Sequence, residues 1–223
     1  MANLYLVSTP IGNLEDITLR ALKILAEVPV IACEDTRKTG LLLTHHQIRK
    51  DQKLISFFEG NEEERIPQIL QELLCNKDVA LVSNAGTPTI SDPGFKLVRA
   101  AIQAGIKVVP IPGSSAVLAA LVVSGLPTDK FLFLGYLPKK TNNRKKFLGE
   151  NIKPNITTII YLSPYRIIEE LKELQEVTGD IEIVICRELT KIYEEIIRDE
   201  IGNLIIRFEK EKPKGEFTLV LHL

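Results

Sequence analysis

Along the first half of this 223-residue chain, short apolar runs alternate with stretches of helical periodicity. Residues 4–8, 28–32, 53–57, 78–83 and 107–111 have the length and β-branched character of buried strands. Between them, residues 18–27, 61–75 and 92–104 carry apolar side chains at helical spacing. Strands and helices in strict alternation cover both faces of a sheet when the strands are parallel, so a parallel α/β lobe is predicted. Residues 114–124 are apolar almost all round, which predicts a buried helix.

Gly125-Leu126-Pro127-Thr128-Asp129 breaks this pattern with turn-forming residues. A second lobe then opens, with strands predicted at 131–136, 157–162, 181–187 and 216–222 and helices at 164–177 and 201–210. Its β-rich C-terminal end predicts a mixed sheet. The expectation is a two-lobed α/β protein: residues 1–128 as an N-terminal lobe on a parallel sheet, residues 129–223 as a C-terminal lobe on a mixed sheet, and a ligand cleft between them.

Composition removes several classes of function. A net charge of -1 gives no global attraction to polyanions, so nucleic-acid binding would rest on a local patch. No apolar run approaches the roughly 20 residues that cross a bilayer. The N-terminus enters the strand-like Leu4-Tyr5-Leu6-Val7 without a signal-type core, and a cytoplasmic protein without membrane attachment is expected. Cys33, Cys75 and Cys186 are odd in number and sit in or beside apolar segments, which predicts reduced, mostly buried thiols. His45, His46 and His222 show no metal-ligand spacing, so no metal is expected.

Chemistry would then reside in the loops. Ser83-Asn84-Ala85-Gly86-Thr87-Pro88-Thr89-Ile90-Ser91-Asp92-Pro93-Gly94 joins a predicted strand to a predicted helix, with Ser91 or Asp92 as the expected N-cap. Such a loop brings backbone N–H groups to the carboxyl end of a parallel sheet, where ligands bind and a helix N-terminus favours an anionic group. It matches neither a nicotinamide fingerprint nor a Walker A loop, and read alone it is a tight turn or a site. Thr9-Pro10-Ile11-Gly12-Asn13-Leu14-Glu15-Asp16 and Pro112-Gly113-Ser114-Ser115-Ala116 are small-residue loops of the same kind, and Ser114 or Ser115 is equally a helix cap. Glu34-Asp35-Thr36-Arg37 is too polar for a core; it is a surface turn or a group that orients substrate and accepts a proton.

Lys139-Lys140-Thr141-Asn142-Asn143-Arg144-Lys145-Lys146 holds five positive charges in eight residues. It is either a solvated helix start or a patch that grips RNA phosphates without reading sequence. Arg187, Glu188 and Lys191 end a strand of the second lobe, and Lys214-Gly215-Glu216 begins its last one.

Taken in order, these segments resemble the tetrapyrrole methylase superfamily, and within it the ribosomal RNA branch. Val109-Pro110-Ile111-Pro112-Gly113, Gly125-Leu126-Pro127 and Gly135-Tyr136-Leu137-Pro138 complete a set that spans essentially the whole chain. The resemblance implies S-adenosylmethionine as cofactor, held by Pro10, Gly12, Asn84, Ala85, Gly86, Thr87, Ser114 and Ser115 from the first lobe. Tyr161, Leu162, Arg187 and Gly215 would contribute from the second. It implies as substrate a cytidine ribose 2′-hydroxyl in the 16S rRNA of the small ribosomal subunit, and a homodimer. Placed at the ends of predicted strands facing the cleft, Asp35 or Glu34 would take the proton, with Arg37, Arg187 or Lys191 positioning phosphate or ribose, while Arg37, Lys139, Lys140, Arg144, Lys145 and Lys146 would meet RNA. The chain departs from the family's pattern at Asn84, commonly Asp, at Leu162, commonly Glu, and at Tyr165 and Tyr193, where the family has His. Methylation of an anionic tetrapyrrole ring is the alternative within the superfamily, and a ribosome-associated RNA-binding protein without catalysis is the alternative outside enzymes.

Overall fold

The computed structural model describes residues 2–211 and 213–223. They form two compact units that divide between Ser115 and Ala116. In the first, β1 (Asn3–Val7), β2 (Val30–Cys33), β3 (Lys53–Ser56), β4 (Val79–Val82) and β5 (Lys107–Ile111) make one parallel sheet in the order β3-β2-β4-β1-β5. Helices α1 (Leu19–Glu27), α2 (Thr36–His45), α3 (Glu62–Leu74) and α4 (Phe95–Gln103) connect the strands. Because successive side chains of a strand point to opposite faces, the sheet feeds two cores. Val30, Ala32, Val79 and Leu81 pack on one side, and Ile31, Cys33, Ala80 and Val82 on the other. Burial on both faces is why these strands read as unbroken apolar runs.

The second unit holds α5 (Ala116–Ser124), β6 (Phe131–Tyr136), α6 (Thr141–Asn151), β7 (Thr157–Leu162), α7 (Ile167–Thr178), β8 (Glu182–Arg187), β9 (Glu195–Glu200), α8 (Ile201–Lys210) and β10 (Phe217–Leu221). Its sheet runs β6-β7-β10-β8-β9 and is mixed: β6 and β7 are parallel, while β10 is antiparallel to both β7 and β8. The β7, β8 and β10 residues Ile160, Leu162, Ile183, Ile185, Leu219 and Leu221 share one core with α7 and α8.

Several expectations change. The units divide before α5 rather than near residue 128, because α5 packs on β10 of the second unit. Only one side of α5 is covered: Val117, Ala120 and Leu121 are buried, whereas Leu118 and Val122 remain 52% and 71% exposed. Neither α2 nor β9 is among the predicted elements, and α6 begins where the basic run offers a helix start. Polar and basic residues blur the helical stripe of α2 and α6, and β9 is a charged edge strand. Cys75 is exposed, while Cys33 and Cys186 are buried thiols. Burial pushes the Cys186 thiol up to about 11, so it is inert at neutral pH.

Candidate active site

A parallel sheet sends the carboxyl ends of all its strands to one edge, and in the first unit that edge gathers the small-residue loops. The order β4-β1-β5 makes the loops after β4, β1 and β5 immediate neighbours. They are tied together directly. Thr9 and Gly86 exchange reciprocal backbone hydrogen bonds of 2.9 and 3.0 Å. The Ser8 and Thr87 hydroxyls lie 2.9 Å apart, Thr87 Oγ1 donates to Ser114 O at 3.2 Å, and Ser114 Oγ donates to Asp16 O at 3.2 Å. Ser83 Oγ, inside the same turn, donates to the carbonyls of Ala85 and Gly86. Ser114 thus links loops and does not stand apart as a helix cap.

Neither Ser91 nor Asp92 caps α4. Gly94 occupies that position with φ +133°, and a Cβ there would sit 2.8 Å from Leu81 Cδ2, so glycine is required. The Gly94 amide donates to Glu62 Oε1 at 3.0 Å, and this buried carboxylate takes the place expected for an anionic ligand. Thr89 and Ser91 adopt φ of +75° and +59°, left-handed values that are costly for residues other than glycine. Strain of this kind within a ligand-type loop is a feature of functional sites.

An acidic centre sits beside this turn. Glu34, at the end of β2, accepts the Asn84 N–H through Oε2 at 3.3 Å. Burial, reinforced by the charge of Glu34 and opposed by a hydrogen bond from Ser83, pushes the Asp92 carboxyl up to about 6. The side-chain oxygen of Asn84 is buried without a hydrogen-bond partner. An orphaned acceptor costs free energy unless a ligand donates to it, so together with two carboxylates this edge suits a cationic, amine-bearing ligand.

The predicted residues divide in three groups. Pro10, Gly12, Asn84, Ala85, Gly86, Thr87 and Ser114 lie on the linked loops, with Ser115 next in sequence. Glu34 belongs to the same cluster through Asn84. Asp35 does not share its role. Its carboxylate caps α2 by accepting the Arg37 N–H at 2.9 Å and chelates the Arg37 guanidinium at 3.1 and 2.9 Å. These bonds hold its pKa at about 2, which makes it a weak base.

In the second unit, Tyr161 packs its ring against Phe133 and Tyr136, with centroids 4.9 and 5.4 Å away. The Leu162 side chain lies in the core, so packing against a ligand is ruled out and only its backbone is available. Arg187 Nε donates to Lys214 O at 2.9 Å, and Lys191 Nζ bridges Glu188 and Glu216 at 2.9 and 3.0 Å. Gly215 has φ +107°, and a Cβ there would fall 2.6 Å from Glu188 Cγ, so only glycine lets the β10 entry pass that carboxylate.

Of the basic run, Arg144 must be withdrawn as an RNA contact. Its side chain is 1% exposed, bonded to both Glu173 oxygens at 2.6 and 2.8 Å, and it fastens α6 to α7. Lys145 pairs with Glu176 and Lys146 with Glu150, leaving Lys139 and Lys140 exposed and free of carboxylate partners among the described residues. Sequence reasoning missed Asp92 and Glu62 as site groups. Asp92 looked like a helix cap, and Glu62 reaches Gly94 from the start of a different helix, a long-range contact with no local signature.

This arrangement of loops accompanies a clear relationship. The chain belongs to the tetrapyrrole (corrin/porphyrin) methylase family, whose model matches residues 3–205. Solved structures with this fold include a cobalt precorrin-4 methyltransferase of cobalamin biosynthesis, 19% identical with a TM-score of 0.73, covering 98% of this chain and 94% of that one. Another is uroporphyrin-III C-methyltransferase from Thermus thermophilus in complex with S-adenyl homocysteine, 18% identical, TM-score 0.68, covering 98% and 97%. Within the family the chain groups with proteins named ribosomal RNA small subunit methyltransferase I. The one from Thermotoga maritima is 47% identical over 221 residues, spanning 99% of this chain and 98% of its own length. That of Vibrio cholerae is 48% identical over 222 residues, spanning 98% and 76%.

Proposed function

We propose that this protein transfers the methyl group of S-adenosylmethionine to the 2′-oxygen of a cytidine ribose in 16S rRNA of the small ribosomal subunit. The observation that carries the reading is identity of 47% along essentially the full length of a ribosomal RNA small subunit methyltransferase I, far above the 18–19% shared with the ring methyltransferases. Cytoplasmic action on ribosomal particles, as a homodimer, belongs to the same reading. Among the described residues no helix is long and apolar enough to cross a membrane, and no cluster of metal-ligating side chains occurs.

When bound, S-adenosylmethionine supplies a methyl group made electrophilic by its sulfonium. The Asn84 oxygen, the backbone of Gly12, Ala85 and Gly86, and the Thr87 and Ser115 hydroxyls would hold it. Alignment is then most of the catalysis. A ribose hydroxyl is a poor nucleophile, and a carboxylate that titrates near neutrality is a better proton acceptor than one held at about 2. Asp92, backed by Glu34, therefore takes the role first given to Asp35. Arg37, exposed beside Asp35, offers hydrogen-bond donors to a phosphate or ribose.

The test is transfer of labelled methyl from S-adenosylmethionine to small subunits lacking the modification, with naked rRNA and a precorrin-type ring in parallel. Labelled rRNA, in the subunit or naked, supports the reading. Labelling of the ring alone overturns it in favour of a tetrapyrrole methyltransferase, and absence of labelling and of cofactor binding overturns it in favour of a non-catalytic RNA-binding protein.

A further inference from the structure

The second unit exposes aromatic and apolar side chains at one edge of its sheet. Tyr165 is 95% exposed, Ile192 96% and Tyr193 76%. Tyr165 lies just after β7, and Ile192-Tyr193 lie between β8 and β9. Since β7 and β8 are both antiparallel to β10, which separates them, they run in the same direction, and both loops leave the same edge about 10 Å apart. The parallel neighbour β6 ends there too, at Tyr136, and the exposed Lys139 and Lys140 follow.

Tyrosines this exposed give up the burial that normally stabilises an aromatic ring. The cations nearest in sequence are already paired, Arg166 with Glu170 and Lys191 with Glu188 and Glu216, and Glu194 and Glu195 follow Tyr193, so among the described residues the free positive charge at this edge is that of Lys139 and Lys140. A surface built to bury itself against another protein is depleted of charge at its centre, whereas exposed rings on the same sheet edge as the unpaired Lys139 and Lys140 are what single-stranded nucleic acid requires. Bases stack on the rings, and phosphates meet the lysines.

We propose that Tyr165 and Tyr193 form a stacking platform for unpaired bases of an RNA strand, with Lys139 and Lys140 gripping its phosphates. The proposal rests on the rRNA reading above and adds to it the conformation of the substrate: the segment flanking the methylated nucleotide binds single-stranded, its bases splayed over two loops. Stacking is tolerant of base identity, so the platform sets strand conformation and leaves sequence to other contacts.

The experiment measures binding of the full chain to unmodified small subunits over a range of salt, together with its affinity for S-adenosylmethionine and its oligomeric state. Tyr165→Ala and Tyr193→Ala should each weaken RNA binding about 5- to 100-fold at unchanged salt slope and cofactor affinity. Tyr165→Phe and Tyr193→Phe should keep binding near wild type, since the ring and not the hydroxyl stacks. Lys139→Ala and Lys140→Ala should each reduce the salt slope by about one. Alanine variants that bind subunits like wild type overturn the platform alone. If they bind normally and alter the oligomeric state, the face is an interface between copies and the proposal is likewise overturned. Failure of the wild-type protein to bind subunits removes the rRNA reading, and the platform with it.

Discussion

Glu34 accepts the backbone N–H of Asn84 at 3.3 Å, and this contact joins the end of β2 to the turn after β4. Through it, one carboxylate both fixes the loop that carries the orphaned Asn84 oxygen and raises the proton affinity of Asp92. Loop position and acid–base character are therefore coupled, and a change at either carboxylate should be felt by both.

Asp92→Asn is expected to reduce the methylation rate at saturating cofactor about 100-fold or more, beyond any weakening of cofactor binding. In the wild type, the rate should climb as pH rises through about 6, where Asp92 loses its proton. Rate–pH profiles of both proteins check this, and a variant with the wild-type rate removes Asp92 from the reaction.

The same group makes a distinct statement about stability. Its folded pKa of about 6 lies above the ordinary 3.8, so between those values the folded state holds more proton than the unfolded state. Stability should fall as pH rises from about 4 to 6, and this contribution should level off above it. Thermal melts across that range should show a shallower fall for Asp92→Asn.

Asp35 presents the opposite case. Asparagine is as good a helix cap as aspartate, so Asp35→Asn should fold and methylate within a few-fold of wild type. Asp35→Ala should lower the melting temperature by losing the cap on α2. A loss of activity by orders of magnitude in Asp35→Asn, with cofactor binding intact, would restore it as the proton acceptor.

Arg144 and Glu173 are a buried ion pair, and removing one partner strands the other charge. Arg144→Ala should cost about 3–5 kcal/mol in denaturant unfolding. Replacing both by apolar residues should recover much of that loss. Lys139→Ala, on the exposed side of the same run, should leave stability unchanged.

Much of this was legible from residue pattern. The parallel sheet announced itself because β2 and β4, buried on both faces, can only be written in apolar residues. That the Pro10–Gly12, 83–94 and 112–115 loops share one edge followed from parallel strands; that they touch depends on the strand order β4-β1-β5. What stayed hidden depends on long-range partners. Arg144 looks like any other member of a basic run until α7 supplies Glu173, 29 residues away. Asp92 reads as a helix cap until the turn half-buries it near Glu34, and α5 reads as core until β10 is seen to cover only one of its sides. Charged β9 carries no strand signal, because an edge strand needs none.

The most direct measurement digests small-subunit rRNA to nucleosides after incubation with the protein and labelled S-adenosylmethionine, and identifies the labelled nucleoside by mass. The result expected is label in 2′-O-methylcytidine. Label on a base, on another nucleoside, or nowhere in the rRNA of subunits that lack the modification would contradict the account.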